Sequence, residues 1–284
     1  MPQIAMIGLG EAGRAFAAGW GSAMVGHVAA FDLRADEQST RQAARSLGLT
    51  CSDSPAPALL GAGIAFCLVT ADQALAAATA AAPFLPPGLL WLDGNSCAPG
   101  TKRRAAAVVE AAGGRYVDLA VMAPVHPRLH RTPCLLAGPH AAVAEQALAP
   151  LGMDLTLAGD RVGDASSIKM LRSVMIKGFE ALSAECLLAA RRAGVEEAVL
   201  ASLQSSDPGW NWAARGAYNL ERMMVHGARR AAEMREVAET LRELGLPDRM
   251  AAATAQWQDD LADLHLPGGP DDLADRADRI LSRL

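Results

Sequence analysis

Two groups of residues in this 284-residue chain have the types and spacing to do chemistry. The first is Gly8-Leu9-Gly10-Glu11-Ala12-Gly13, a G-x-G-x-x-G that follows the apolar run Ile4-Ala5-Met6-Ile7 and opens a helical stretch from Ala12 to Trp20. Nineteen residues beyond Gly13, a second apolar run ends in an acid, Asp32. In such an arrangement Gly8 allows a tight turn, Gly10 lets a pyrophosphate approach the backbone, and Gly13 lets the helix pack on the strand. Around Leu9, Glu11 and Ala12, the free N–H groups and partial positive charge of the helix start then face the phosphates. Asp32 is placed to accept both hydroxyls of an adenosine ribose and to repel a 2′-phosphate, which favours NAD. Arg34, two residues on, can hold such a phosphate, so NADP stays open. A tight glycine turn that binds no nucleotide is the alternative.

The second group lies on a long helical stretch from Ser166. Lys169, Arg172, Ser173, Ile176, Lys177 and Glu180 fall at i, i+3, i+4, i+7, i+8 and i+11, on one side of a helix. Lys169 stands a few residues into that helix, at the join of two differently patterned halves, and ligands commonly bind between domains. A lysine serves as a base near neutral pH when burial or another cation lowers its pKa. Arg172 is a candidate for that cation, or a grip for a substrate carboxylate. Asp164 or Ser166 can cap the helix. A solvent-facing stripe of an amphipathic helix would look the same.

The elements that position these groups follow from the hydrophobic pattern. Gln3–Ile7, His27–Asp32, Ile64–Val69, Leu89–Leu92, Arg115–Leu119, Cys134–Ala137 and Asp154–Leu157 read as strands, most of them separated by Ala-rich helical segments. Strand–helix alternation predicts an α/β half, a Rossmann-type doubly wound parallel sheet over residues 1–160. From 161 to 284 the spacing predicts an all-α half with helices over Ser166–Ala193, Glu196–Ser205, Trp212–Leu244 and Asp248–Leu264, and one last short amphipathic helix in the tail from Leu266.

Composition excludes several classes. Hydrophobic residues at 51% and charged ones at 20% describe a folded globular chain. A net charge of −5 offers no polyanion-binding surface, so no nucleic acid is expected. Lys102-Arg103-Arg104 reads as a solvated helix face. Cys51, Cys67, Cys97, Cys134 and Cys186 are scattered and odd in number, which argues for buried free thiols and against disulfides or a zinc site; no metal is expected. The long apolar window Ala74–Leu92 is broken by Pro83, Pro86 and Pro87, so no membrane span is expected, and without a leader pattern the protein is expected in the cytoplasm.

The chain resembles the β-hydroxyacid dehydrogenase family, which includes 3-hydroxyisobutyrate and 6-phosphogluconate dehydrogenases. Four pieces carry the likeness in order: the Gly8–Gly13 loop; Asp93-Gly94-Asn95-Ser96-Cys97-Ala98-Pro99, similar to the D-x-S-T-x-x-P loop beside the nicotinamide; Tyr116-Val117-Asp118, where the substrate loop begins; and Gly163 through Lys169 to Ser173, similar to the G-x₅-K-x₃-N stretch that opens the interdomain helix. Lys169 through Leu182 and His226 through Met234 resemble a branch whose helical domain has no assigned function. The resemblance implies NAD(P)-dependent hydride transfer on a small hydroxy acid, with Lys169 as general acid and base. It places Val69, Thr70, Asn95 and Ser96 at the cofactor with the glycine loop, Asp32 and Arg34. It places Ser96, Met122, His126, Arg172, Ser173 and Arg230 at the substrate, and it implies a homodimer. Asn95 and Ser96 would serve equally as an N-cap before the helix near Thr101.

The departures are specific. The family's D-x-P-V-S-G-G is Asp118-Leu119-Ala120-Val121-Met122-Ala123-Pro124 here, without the Ser and both Gly of the carboxylate pocket, and the usual Asn after the lysine is Ser173. His126 and His130, in a Pro-rich stretch, are candidates to contact substrate where those residues are missing. Reduction of an imine or ketone on the same fold is therefore a second expectation, and a non-catalytic NAD-binding sensor a third.

Overall fold

The computed structural model describes residues 3–24 and 26–284. The first half is an eight-stranded sheet of order β3-β2-β1-β4-β5-β6-β7-β8. Its strands are β1 (Gln3–Ile7), β2 (Val28–Phe31), β3 (Thr50–Ser52), β4 (Ala62–Cys67), β5 (Leu90–Asp93), β6 (Arg115–Val121), β7 (Cys134–Ala137) and β8 (Leu155–Gly159). Neighbours run parallel except β6 and β7, which are antiparallel. Helices α1 (Glu11–Trp20), α2 (Gln38–Ser46), α3 (Pro55–Leu59), α4 (Ala74–Ala81), α5 (Pro99–Ala111) and α6 (Ala141–Leu148) connect them.

Period-two alternation along the strands builds the two apolar layers that enclose the sheet. Ile4 and Met6 of β1 join Phe16, Phe66, Leu92 and Leu119 on one face. Ala5 and Ile7 join Phe31, Cys67, Trp91 and Tyr116 on the other. Strand β3 has no counterpart in the hydrophobic pattern. It is three residues long, polar (Thr50-Cys51-Ser52), and pairs only with β2 at the sheet edge, so no buried face marks it. Strand β6 runs two residues beyond Leu119 because Ala120 and Val121 pair with Leu135 and Cys134 of β7.

The second half is helical: α7 (Asp164–Arg192), α8 (Glu196–Ser206), α9 (Trp212–Glu243), α10 (Arg249–Ala262) and α11 (Leu273–Leu281). Leu187, Leu188, Leu220, Met223, Leu261 and Ile280 are among the residues of its core. A Cβ on Gly227 would lie 2.4 Å from the Gln258 carbonyl oxygen, so glycine is what lets α9 approach α10 there. By contacts the chain divides into two compact units, one ending at Met170 and one from Leu171 to Leu284. The division falls within α7, not ahead of it at residue 160, and Lys169 belongs to the first unit.

No helix among the described residues is long and apolar enough to cross a membrane. None of the five cysteines is in a disulfide: Cys67, Cys97 and Cys134 are buried as expected, whereas Cys51 is half-buried and Cys186 exposed.

Candidate functional site

The glycine loop separates its three glycines by what each must avoid. Gly8 has φ +98°, and a Cβ there would lie 2.5 Å from the Leu68 carbonyl oxygen. A Cβ on Gly13 would lie 2.4 Å from the Gly8 carbonyl oxygen. Both are demanded by the fold itself. Gly10 is different: nothing lies within 4 Å of the place its Cβ would take. It is the N-cap of α1 and supplies no side chain to the helix start, so a group outside the protein is free to approach those N–H donors. Asp32 braces the loop, its Oδ2 accepting from the Leu9 N–H at 2.8 Å and its Oδ1 from the Arg34 N–H at 2.9 Å. Each oxygen keeps a lone pair for a ribose hydroxyl. Glu11 and Arg34 are exposed and Ala12 half-buried. These residues fit a dinucleotide.

The second loop follows β5. Asn95 is buried and engaged within the protein: its Oδ1 accepts from the Val69 N–H at 2.7 Å, and its Nδ2 donates to Asp93 Oδ1 at 2.7 Å and Cys67 Sγ at 3.3 Å. Expected at the cofactor, the Asn95 side chain instead holds the loop and the end of β4 together. Thr70 beside Val69 is exposed. Neither Asn95 nor Ser96 caps α5, whose N-cap is Ala98 with no side-chain bond.

Ser96 is half-buried, and its Oγ accepts a hydrogen bond from Lys169 Nζ at 2.6 Å. The loop after β5 and the start of α7 therefore meet inside the first unit. The start of α7, which carries Lys169, is capped by neither Asp164 nor Ser166 as the local sequence suggested. Asp118 of β6 does it: its Oδ2 accepts from the N–H groups of Gly163 (3.1 Å) and Ser166 (3.0 Å) and from Ser166 Oγ (3.0 Å). Asp164 Oδ2 accepts instead from the Arg161 N–H at 3.3 Å.

Lys102 corrects the composition-based reading most sharply. It is no part of a solvated face but fully buried, its ammonium donating to the Asp93 carbonyl and to Asp93 Oδ1 (3.0 Å), with Asp118 Oδ1 at 3.4 Å. Burial works against the ammonium, but the carboxylates of Asp93 and Asp118 outweigh it and hold Lys102 above its ordinary range. Tyr116 donates its hydroxyl to Asp93 Oδ2 at 2.6 Å; burial, reinforced by Asp93, holds the phenol far from ionisation. From the sequence, Asp93, Tyr116 and Asp118 are named only as members of family-like stretches and Lys102 only as part of a solvated face, with no role given to their side chains. One signal for Lys102 was available: the chain has 26 basic residues of which three are lysines, so 23 are arginines, and each ammonium is an exception.

The residues expected at the substrate are scattered. Met122 is half-buried just past β6, its N–H donating to the Pro133 carbonyl at 2.8 Å. His126 is exposed. His130 lies against α1, its ring where a Gly19 Cβ would stand, and burial and Arg131 lower its pKa. In the helical unit Arg172 is exposed, and Ser173 is buried and accepts from Lys177 Nζ at 3.1 Å. Arg230 departs from expectation: it is buried in a bidentate ion pair with Glu180, whose Oε2 also accepts from Gln258 Nε2 at 2.8 Å. Its Nε and Nη2 donors are committed to Glu180 in the interior of the helical unit. Among the described residues no cluster of three or more His, Cys, Asp or Glu is placed to hold a metal ion.

Comparison with known proteins bears on the family and the fold. The model of the NAD binding domain of 6-phosphogluconate dehydrogenase matches residues 3–154, and that of a domain of unknown function, DUF1932, matches residues 190–261. A conserved hypothetical protein from Sinorhizobium meliloti 1021 is 38% identical, with a TM-score of 0.78 over 100% of this chain and 97% of that one. At the level of fold alone, Mycobacterium tuberculosis 3-hydroxyisobutyrate dehydrogenase, solved with L-serine, has a TM-score of 0.74 at 17% identity, covering 99% of each chain. A reductive aminase from Aspergillus terreus, solved with NADPH and ethyl levulinate, has a TM-score of 0.57 at 18% identity, covering 98% of this chain and 99% of that one. The chain belongs to the family built on the NAD binding domain of 6-phosphogluconate dehydrogenase, with a DUF1932 helical domain following it.

Proposed function

We propose that this protein is a nicotinamide-dependent oxidoreductase that interconverts the alcohol and carbonyl of a small hydroxy acid, with Lys169 as proton donor and acceptor. The observation that carries the reading is the 2.6 Å bond from Lys169 to Ser96, because it sets the amine beside the loop that resembles the family's nicotinamide loop. The bound nicotinamide supplies the hydride acceptor. Lys169 as a neutral amine takes the hydroxyl proton, and as an ammonium returns it in the reverse direction. With Ser96 accepting one N–H, the amine is held beside that loop. Gly10 and the start of α1 hold the pyrophosphate, and Asp32 the adenosine ribose, which favours NAD over NADP. We read the working molecule as a cytoplasmic homodimer.

A panel of hydroxy acids with NAD⁺ and with NADP⁺, followed by the absorbance of the reduced coenzyme, tests this reading with Lys169→Ala as control. Full turnover by that variant would remove Lys169 from the mechanism. Reduction of an imine or ketone is favoured by one observation: Met122, Ala123 and Pro124 stand where the resemblance puts the Ser and both Gly of the carboxylate pocket, and the Met122 N–H is taken by the Pro133 carbonyl. Turnover of a cyclic imine with none of the hydroxy acids would select that reaction. Coenzyme binding without turnover across both panels would point to a sensor.

A further inference from the structure

We propose that Lys102 is a positioning residue for this reaction: its buried ammonium ties the Asn95–Ser96 loop to the first turn of α7 and so sets where the Ser96 hydroxyl meets the Lys169 amine. The proposal rests on the reading of Lys169 as the proton-transfer group.

Asp93 and Asp118 are register partners on the adjacent parallel strands β5 and β6, and both are fully buried. Two carboxylates side by side without water repel strongly. Each also has its own task. Asp93 Oδ1 accepts from the N–H and the side-chain Nδ2 of Asn95, at 3.0 and 2.7 Å, and so fixes the loop that ends in Ser96. Asp118 Oδ2 accepts three bonds from Gly163 and Ser166 and so fixes the start of the helix that carries Lys169. Asp118 Oδ1 is buried with no hydrogen-bond partner, and Lys102 Nζ stands 3.4 Å from it. The ammonium offsets one of the two negative charges at the one place where loop and helix are both anchored.

Lys102 is not there for its own helix. It lies in the opening residues of α5, where a cation opposes the helix dipole. Nor is an ammonium this chain's ordinary choice, since 23 of its 26 basic residues are arginine. None of the three lysines is exposed: Lys102 and Lys177 are buried and Lys169 half-buried. A compact ammonium with three donors fits between two strands where a planar guanidinium fork does not.

The test is Lys102→Met, made alone and together with Asp93→Asn, so that in the second variant a positive and a negative charge leave together. Labelling with ¹³Cε-lysine gives three lysine signals in the NAD⁺-loaded parent and two, Lys169 and Lys177, in the Lys102 variants. In the double variant we expect cooperative unfolding, a Kd for NAD⁺ within about threefold of the parent, and a moved Lys169 signal beside an unmoved Lys177 signal. On the substrate found by the coenzyme screen, kcat falls by about 30-fold or more, the scale of a catalytic group displaced by a fraction of an ångström to an ångström. In a Lys169→Ala background the Lys102 substitution costs less than about threefold, because the group it positions is gone. An unmoved Lys169 signal, an unchanged kcat, or a loss that multiplies in full with Lys169→Ala overturns the proposal. If Lys169→Ala keeps full turnover while the Lys169 signal still answers to Lys102, the proton-transfer reading fails, and the tie is structural only.

Discussion

Ser96 and Lys169, 73 residues apart in the chain, meet in one hydrogen bond of 2.6 Å. Removing the serine hydroxyl takes away the acceptor that ties the amine to this loop. Ser96→Ala is expected to lower kcat by about 10- to 100-fold, within the range of a misoriented acid–base group, and to leave coenzyme affinity unchanged. Initial rates beside a fluorescence titration with NAD⁺ separate the two effects.

The glycines of the first loop give a sharper contrast. Gly10→Ala adds a methyl group that meets no protein atom, so the melting temperature should stay within about 2 °C while the Kd for NAD⁺ rises about tenfold or more. Gly8→Ala forces a side chain into the left-handed region and against the Leu68 carbonyl, and should cost about 2–4 kcal/mol of stability. Thermal scans and calorimetry on the pair check both. If Gly10→Ala binds NAD⁺ like the parent, the open space above Gly10 does not hold the phosphates.

Thiol reactivity follows from burial. The Cys134 thiol is pushed up to about 12 by burial, against the lowering pull of Lys169, and burial raises Cys67 as well, helped by Asp93. At pH 8 a thiol of pKa near 12 is ionised about once in 10⁴ molecules, so a disulfide reagent should modify exposed Cys186 first and reach Cys67 and Cys134 only on unfolding. The same shifts set the alkaline limit of the fold. A thiol or ammonium whose folded pKa lies above its unfolded value stabilises below the unfolded value and ceases to as pH rises through the folded one. Against ordinary values of 9.0 for the thiols and 10.5 for Lys102, denaturant stability should fall above pH 9 and more steeply above 10.5. A midpoint that stays flat from pH 8 to 11 would contradict the buried cluster.

Arg230 provides a stability prediction in place of a substrate contact. Arg230→Ala leaves Glu180 buried without its cation and should cost about 3–5 kcal/mol. Replacing both, as Glu180→Leu with Arg230→Met, should recover most of the loss. Urea unfolding of the single and double variants measures this. A change in substrate KM with no change in stability would return Arg230 to the active site.

Much of this protein is legible wherever the information is local. The glycine turn, the acid ending β2, the runs that form seven of eight strands and the punctuation between helices all lie within windows of a few to some twenty residues. What stays hidden is pairing across distance. Strand β3 exists through β2 and not through its own pattern. Asn95 looks like a ligand contact until Val69, Asp93 and Cys67 are seen to occupy it. Arg230 looks free on a helix until Glu180 and Gln258 arrive from two others. Lys102, in a run with two arginines, reads as surface because nothing nearby in sequence shows that two strand-borne carboxylates close over it.

The first turn of α7 is stitched to Asp118, 45 residues upstream of Gly163 and 48 upstream of Ser166. A helix whose opening N–H groups depend on so remote an acceptor does not nucleate there unaided. That turn is therefore expected to set only once strand β6 is seated in the sheet. A peptide of residues 164–192 alone should fray at that end, where Lys169 resides, and keep its helicity further along.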